Sequence, residues 1–165
     1  MNFTWDGNEW FMLATSVIVF AITLLIRRHF RPLTFFMIWL FAIAYVESID
    51  YAIAGTPFQL YYCADNESYE PAAAMIHLFL YPGCVFIFLY LYDKWRIRGK
   101  NQVWYILAWT AVSVLFEWIN VLAGVFTYTG WMIVFSIPTY PISAVITICL
   151  YRYIERHLRA AAPPA

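Results

Sequence analysis

The chain has 165 residues, 64% hydrophobic, 21% aromatic and only 12% charged, whereas a soluble domain carries roughly 25% charged residues. That composition excludes an ordinary water-soluble globule and points to one membrane-embedded domain. The formal net charge of +0 hides a strong asymmetry: every Lys and Arg falls in one of three short segments, a pattern that explains them as topology signals and excludes a nucleic-acid surface.

The N-terminus carries Asp6 and Glu9 and no basic residue. No small-residue cleavage site follows the first apolar run, so that run is expected to stay as a signal anchor. About 20 apolar residues are needed to cross the hydrocarbon core. Five runs meet that need: Trp10 to Ile26, Leu33 to Ala54, Pro71 to Tyr92, Val103 to Phe126 and Trp131 to Tyr151. Arg27, Arg28 and Arg31 follow the first. Lys94, Arg96, Arg98 and Lys100 follow the third. Arg152, Arg156 and Arg159 follow the fifth. The linkers after the second and fourth runs carry no basic residue. Five crossings with the N-terminus outside and the C-terminus cytoplasmic satisfy all of these charges. The fold class expected is therefore all-α, a bundle of five transmembrane helices. It forms a single domain over residues 1–159, with a low-complexity, disordered tail at 160–165.

Aromatic residues mark the boundaries. Trp5, Trp10, Tyr61, Tyr62, Tyr128 and Trp131 stand at the outer ends, and Trp95, Trp104, Tyr151 and Tyr153 at the inner ends, as interfacial belts require. The outer loop from Gly55 to Glu70 is the only long one. Thr127-Tyr128-Thr129-Gly130 reads as a tight turn joining the last two spans as an antiparallel hairpin. No internal repeat is visible in the sequence, which argues against an inverted-repeat transporter within one chain.

The acidic residues inside the spans carry the functional interest. Glu47 and Asp50 stand at i and i+3 on the second span, so they share a helix face. Glu117 and Asn120 repeat that spacing on the fourth. His77 lies on the third span, one turn from Tyr81, with Pro82 just beyond. Ser136, Tyr140, Ser143 and Thr147 form a stripe on the fifth, where Pro138 and Pro141 release backbone carbonyls. Counted from the span ends, Glu47, Asp50, His77, Glu117 and Asn120 share a layer in the outer half of the bilayer. An acidic residue near a helix centre costs about 2.5–3.5 kcal/mol on insertion. The three carboxyls are therefore expected to face the bundle interior, close together, with His77 as the only cation within the spans able to pair with them. The expected roles are proton or cation acceptors for Glu47 and Glu117, an outer mouth at Asp50, a titratable partner at His77 and an orienting group at Asn120. Tyr81, Ser136 and Tyr140 are secondary candidates. The bland alternative is interhelical glue, worth roughly 0.6–2 kcal/mol per contact.

Absent motifs narrow the chemistry. No Lys lies in a span, which excludes a retinal Schiff base, and one intramembrane His excludes bis-His haem ligation. There is no HExxH, P-loop, GxSxG or GxGxxG. Cys63, Cys84 and Cys149 have no CxxC spacing, so neither a metal site nor a cofactor is expected. Asn2-Phe3-Thr4 and Asn66-Glu67-Ser68 fit the glycosylation sequon, which matters only in a secretory pathway.

Phe116-Glu117-Trp118, then Gly124-Val125-Phe126-Thr127-Tyr128, Gly130-Trp131 and Ser136, resembles a family of small multi-span membrane proteins common in spore-forming Firmicutes. The Tyr81-Pro82 pair and the Asp of the second span add to the likeness, which covers about Asp50 to Tyr151. The resemblance implies a bacterial plasma membrane location and a similar multi-span fold, and brings no activity with it. A weaker likeness is to membrane-embedded terpene and lycopene cyclases, whose Pro-x-Glu-Glu motif this chain lacks. Three readings follow. The first is an ion- or proton-handling, transport-related protein, with membrane lipid around it and a second copy or a membrane-protein partner to complete a pathway. The second is a cofactor-independent intramembrane enzyme acting on an isoprenoid-like lipid through a carboxyl general acid. The third is a membrane scaffold or assembly factor.

Overall fold

The computed structural model describes residues 5–55, 57–63 and 71–161. The sequons at Asn2 and Asn66, most of the acidic part of the long loop and residues 162–165 lie outside the described residues. Among the described residues six α-helices and two short strands follow in order: α1 Gly7–Ile26, a 3-10 turn Arg27–His29, α2 Pro32–Ile53, β1 Tyr61–Cys63, α3 Pro71–Met75, a π-helical turn Ile76–Leu80, α4 Tyr81–Lys94, α5 Lys100–Leu122, β2 Phe126–Tyr128 and α6 Ile133–Ala160. Among the described residues, five segments are long and apolar enough to cross a membrane: Gly7–His29, Pro32–Ile53, Ala73–Lys94, Lys100–Leu122 and Ile133–Ala160.

Local sequence explains the helix starts. Asp6 caps α1 by accepting from Asn8 N at 3.1 Å, and Glu9 Oε2 accepts from Asp6 N at 2.9 Å, the reciprocal box expected of these residue types. Pro32 opens α2, where its missing N–H costs nothing. At the other end of α5, Gly124 at φ +74 turns the chain out of the helix, and Val125 N donates to Asn120 O at 2.9 Å.

Cross-links define two ends of the bundle. At one end β1 and β2 pair antiparallel, Tyr61 opposite Tyr128. Leu60 O accepts from the N–H groups of Thr129, Gly130 and Trp131 at 2.8–3.0 Å, and Asn8 Nδ2 donates to Gly124 O at 3.3 Å. At the other end His29 Nε2 meets Asp93 Oδ2 at 2.8 Å, Arg31 lies 3.9 Å from Glu155, and Arg152 Nη2 donates to Gln102 Oε1 at 2.9 Å. The three basic segments thus converge on one end, and the strands close the opposite one.

Helix α4 with its π turn is the hub. In the span Ala73–Lys94, 44% of the most apolar window is buried, against 17–28% in the other four. Phe86 and Phe88 of α4 anchor the aromatic core: Phe86 stacks on Phe35 at 4.3 Å and Phe88 on Tyr105 at 5.1 Å. Gly83 lets α1 approach α4. A Cβ there would fall 2.5 Å from Val19 Cγ1 and 2.9 Å from Thr23 Oγ1. The outward faces stay apolar: Leu25 is 80% exposed, Trp104 72% and Leu122 69%. Such a surface is stable in hydrocarbon and insoluble in water.

Several expectations need correction. The fourth span ends at Leu122, not Phe126, because Gly124 breaks it and residues 126–128 go into a strand. The bundle is therefore not purely helical, and the expected tight turn at 127–130 begins as β structure. The fifth helix runs on past Tyr151 to Ala160, carried by the buried Ile154 and a 3.8 Å Arg159–Glu155 pair one turn apart. Ala160 is thus helical rather than part of a tail. The first helix starts at Gly7, three residues early, because its capping box lies there. Pro138 and Pro141 sit within an uninterrupted α6.

Candidate functional site

Two carboxylate clusters stand near the strand end, one on each side of a cavity. The first belongs to α2 and the π turn. In the π turn the backbone bonds i to i+5, which changes the rotation of the side chains that follow. His77 lies within it, with Nδ1 2.8 Å from Glu47 Oε1 and Nε2 3.0 Å from Asp50 Oδ2. The i, i+3 spacing of the two acids matches the two edges of the ring. Both ring nitrogens donate at once only in the imidazolium form, so the triad is built to hold a proton between two carboxylates. The other oxygen of Asp50 accepts from the Tyr61 hydroxyl.

The second cluster is centred on Glu117, buried on α5. Its Oε1 accepts from Tyr128 at 2.5 Å and from Ser136 at 2.7 Å, and its Oε2 accepts from Tyr140 at 2.7 Å. Trp131 Nε1 donates to Ser136 Oγ at 3.1 Å, which leaves the serine proton for Glu117. Three hydroxyl donors converging on one carboxyl satisfy it as an anion, an acceptor-only group.

The strands tie these clusters together. Tyr61 and Tyr128 are direct register partners, so their side chains leave the same face of the ribbon. Each reaches a carboxylate eleven residues before it in sequence, Tyr61 to Asp50 and Tyr128 to Glu117. A helix bearing an acid, followed by a strand bearing a tyrosine that turns back to it, therefore occurs twice. Burial pushes the Tyr61 hydroxyl well above its ordinary pKa, and the charge of Asp50 adds to the shift. Burial and the hydrogen bond to Glu117 do the same for Tyr128. Both phenols therefore remain donors through and beyond the physiological range.

Between the clusters lies a cavity of about 230 Å³ bounded by α2, α4, α5 and α6 and roofed by the strands. Its wall is mostly apolar and aromatic, with Phe41, Phe88, Trp109 and Phe126 prominent, and both Asp50 and Glu117 open onto it. Among the described residues lining it there is no Lys, Arg or His. No group of three or more His, Cys, Asp or Glu among the described residues is arranged to hold a metal ion.

The sequence candidates are distributed as follows. Asp50, Glu117, Tyr81, Ser136 and Tyr140 line the cavity. His77 stands behind Asp50, its ring centroid 5.7 Å from that of Tyr81. Glu47 does not face the interior as expected; its side chain is 46% exposed and reaches His77 Nδ1 at 2.8 Å. Asn120 does not orient Glu117. Its amide donates to Phe116 O in its own helix at 2.7 Å, and Tyr128, Ser136 and Tyr140 take that role instead. The residues missed were Tyr61, Tyr128 and Trp131, read as interfacial anchors when their polar atoms turn inward. The recurring acid-to-tyrosine spacing of eleven was the one signal that could have found two of them. Compared with family models, with curated proteins and with solved structures, the chain matches none.

Proposed function

We propose that the chain is a multi-pass protein of the bacterial plasma membrane that handles protons or small cations as part of a transport process. Its N-terminus lies outside and its C-terminus in the cytoplasm, the orientation that puts the basic end on the inner face. The observation that carries the reading is a single cavity with two opposed carboxylates, one of them hydrogen-bonded to a histidine that bridges to a third acid. Such a relay can hold and release a proton beside a bound cation, which is how intramembrane acids serve pumps and transporters. The cavity is too small to be a pore, so passage requires motion of the strand roof or a second copy of the chain.

The general-acid reading is weaker on chemical grounds. Both cavity carboxylates are already acceptors of several hydrogen bonds, and a general acid must present a proton to its substrate. The glue reading accounts for the hydrogen bonds but gives no reason for an open cavity between them.

The test is proton and cation flux in proteoliposomes, comparing the wild type with Asp50→Asn and Glu117→Gln, each verified as folded by circular dichroism and gel filtration. Flux in the wild type that falls at least tenfold in both variants supports the reading. Equal flux in all three, or none in any, sinks it.

A further inference from the structure

We propose that the cavity is a binding site for a lipophilic organic cation, a tertiary or quaternary ammonium group on a compact apolar body. The inference rests on the reading above only in taking this cavity as the ligand site. It comes from the sign, the donors, the lining and the size of the space.

The acidic residues on the wall are Asp50 and Glu117, and no Lys, Arg or His is among the described residues that line it. His77 serves Asp50 from behind and is shared with Glu47, so the relay of two acids and one imidazolium stays net negative. Across the cavity Glu117 adds a further negative charge. In a low-dielectric space these charges act strongly on whatever enters.

The hydrogen-bond donors point the same way. The hydroxyls of Tyr61, Tyr128, Ser136 and Tyr140 are turned onto the two carboxylates. Ser143 donates to Thr139 O at 2.9 Å, so it receives the Tyr45 hydroxyl at 3.0 Å. The indole N–H of Trp131 is held by Ser136. An anion would meet two carboxylates and few uncommitted donors. A quaternary ammonium ion needs no donor or acceptor; it needs negative charge and aromatic faces. Tyr81 and Phe126 line the cavity at the level of the acids, and Phe88 and Trp109 line it about two helical turns deeper; aromatic walls of this kind recognise alkylated ammonium groups through the ring quadrupole.

Size limits the ligand. An apolar cavity of about 150 Å³ accepts benzene; at about 230 Å³ this one suits a benzene ring carrying a small trimethylammonium-sized group.

The experiment is isothermal titration of the purified full-length protein in detergent with three probes of equal shape. They are benzyltrimethylammonium, its neutral carbon isostere (2,2-dimethylpropyl)benzene and the anion phenylmethanesulfonate, with free concentrations corrected for partition into micelles. The ammonium probe should bind at least tenfold more tightly than the neutral isostere, and the sulfonate should not bind. Glu117→Gln should weaken the ammonium probe about tenfold and leave the neutral one unchanged, and Trp109→Leu should weaken both. The three-probe comparison on the wild type needs no variant, so a poorly folding substitution does not block the test. Equal binding of the charged and neutral probes would overturn the proposal in favour of a purely apolar occupant such as a lipid chain. No binding of the ammonium probe overturns it outright. Binding without proteoliposome flux retires the transport reading and leaves the cation site standing; flux without ammonium binding does the reverse.

Discussion

Glu117 is the residue on which the site depends most. A buried carboxylate is tolerable in a bundle because Tyr128, Ser136 and Tyr140 supply charge-assisted hydrogen bonds, each worth about 1.5–3 kcal/mol to a charged group. Tyr140→Phe and Ser136→Ala should each lower stability by about 1–3 kcal/mol, measured by SDS titration of the folded protein. Because the three donors share one acceptor, their losses should be less than additive, and a double-mutant cycle between Tyr140→Phe and Glu117→Gln reads the coupling directly. Additive losses would mean that the hydroxyls act independently of Glu117. The strand tyrosines set a pH limit. Their pKa values are raised in the fold, so the unfolded chain gives up these protons first. The stability they confer is complete below about pH 10, the ordinary phenol value, and is lost as pH climbs beyond it. Tyr61→Phe and Tyr128→Phe should flatten that alkaline decline; an unchanged decline would place its origin elsewhere.

At the scale of elements, α4 belongs to the most buried span and packs against α1, α2 and α6. Gly83 is the contact point with α1, where small residues permit close helix approach in the absence of a hydrophobic drive between helices. Gly83→Leu should separate α1 from α4 and cost about 1–3 kcal/mol by overpacking. Gly7→Ala, with nothing within 4 Å of the added carbon, should leave stability unchanged. SDS unfolding of the two variants side by side checks both statements, and equal stability would show that the α1–α4 contact is not held at Gly83. The π turn immediately before α4 has a different task. Such turns are uncommon and recur at functional sites, and this one holds His77 between two acids. The two strands are too short to be stable alone. They persist because Leu60 O gathers three N–H groups and because each tyrosine is tethered to a carboxylate below.

The molecule as a whole has a basic end and a strand end, with an apolar belt between them. The orientation proposed makes a direct prediction. A C-terminal green fluorescent protein fusion should fluoresce, and alkaline phosphatase joined there should be inactive. Alkaline phosphatase inserted after Thr129, beside the strand roof, should be active. The opposite pattern would invert the topology and place the cavity mouth on the cytoplasmic side. With the cavity toward the outer face, a cationic ligand would enter from outside or from the outer leaflet, beneath a roof tied to the acids it covers.

The number of spans, their order and the segregation of basic residues to one end were legible in the sequence, because hydrocarbon imposes a length and charge rule on each segment separately. The shared face of Glu47 and Asp50 was legible for the same reason, since it depends on residues within one turn; the capping box at Asp6 and Glu9 is equally local, but a first span read from Trp10 passes over it. The exposure of Glu47, the inward turn of Tyr61 and Tyr128 and the replacement of Asn120 by three hydroxyls were not. Each was decided by partners far away in the sequence. The clearest case is the pairing of β1 with β2, which no local pattern announces in strands of three residues. A tyrosine at a span boundary satisfies the interfacial rule whichever way its hydroxyl points. Only the packed bundle, with a buried carboxylate needing donors below the strands, selects the direction.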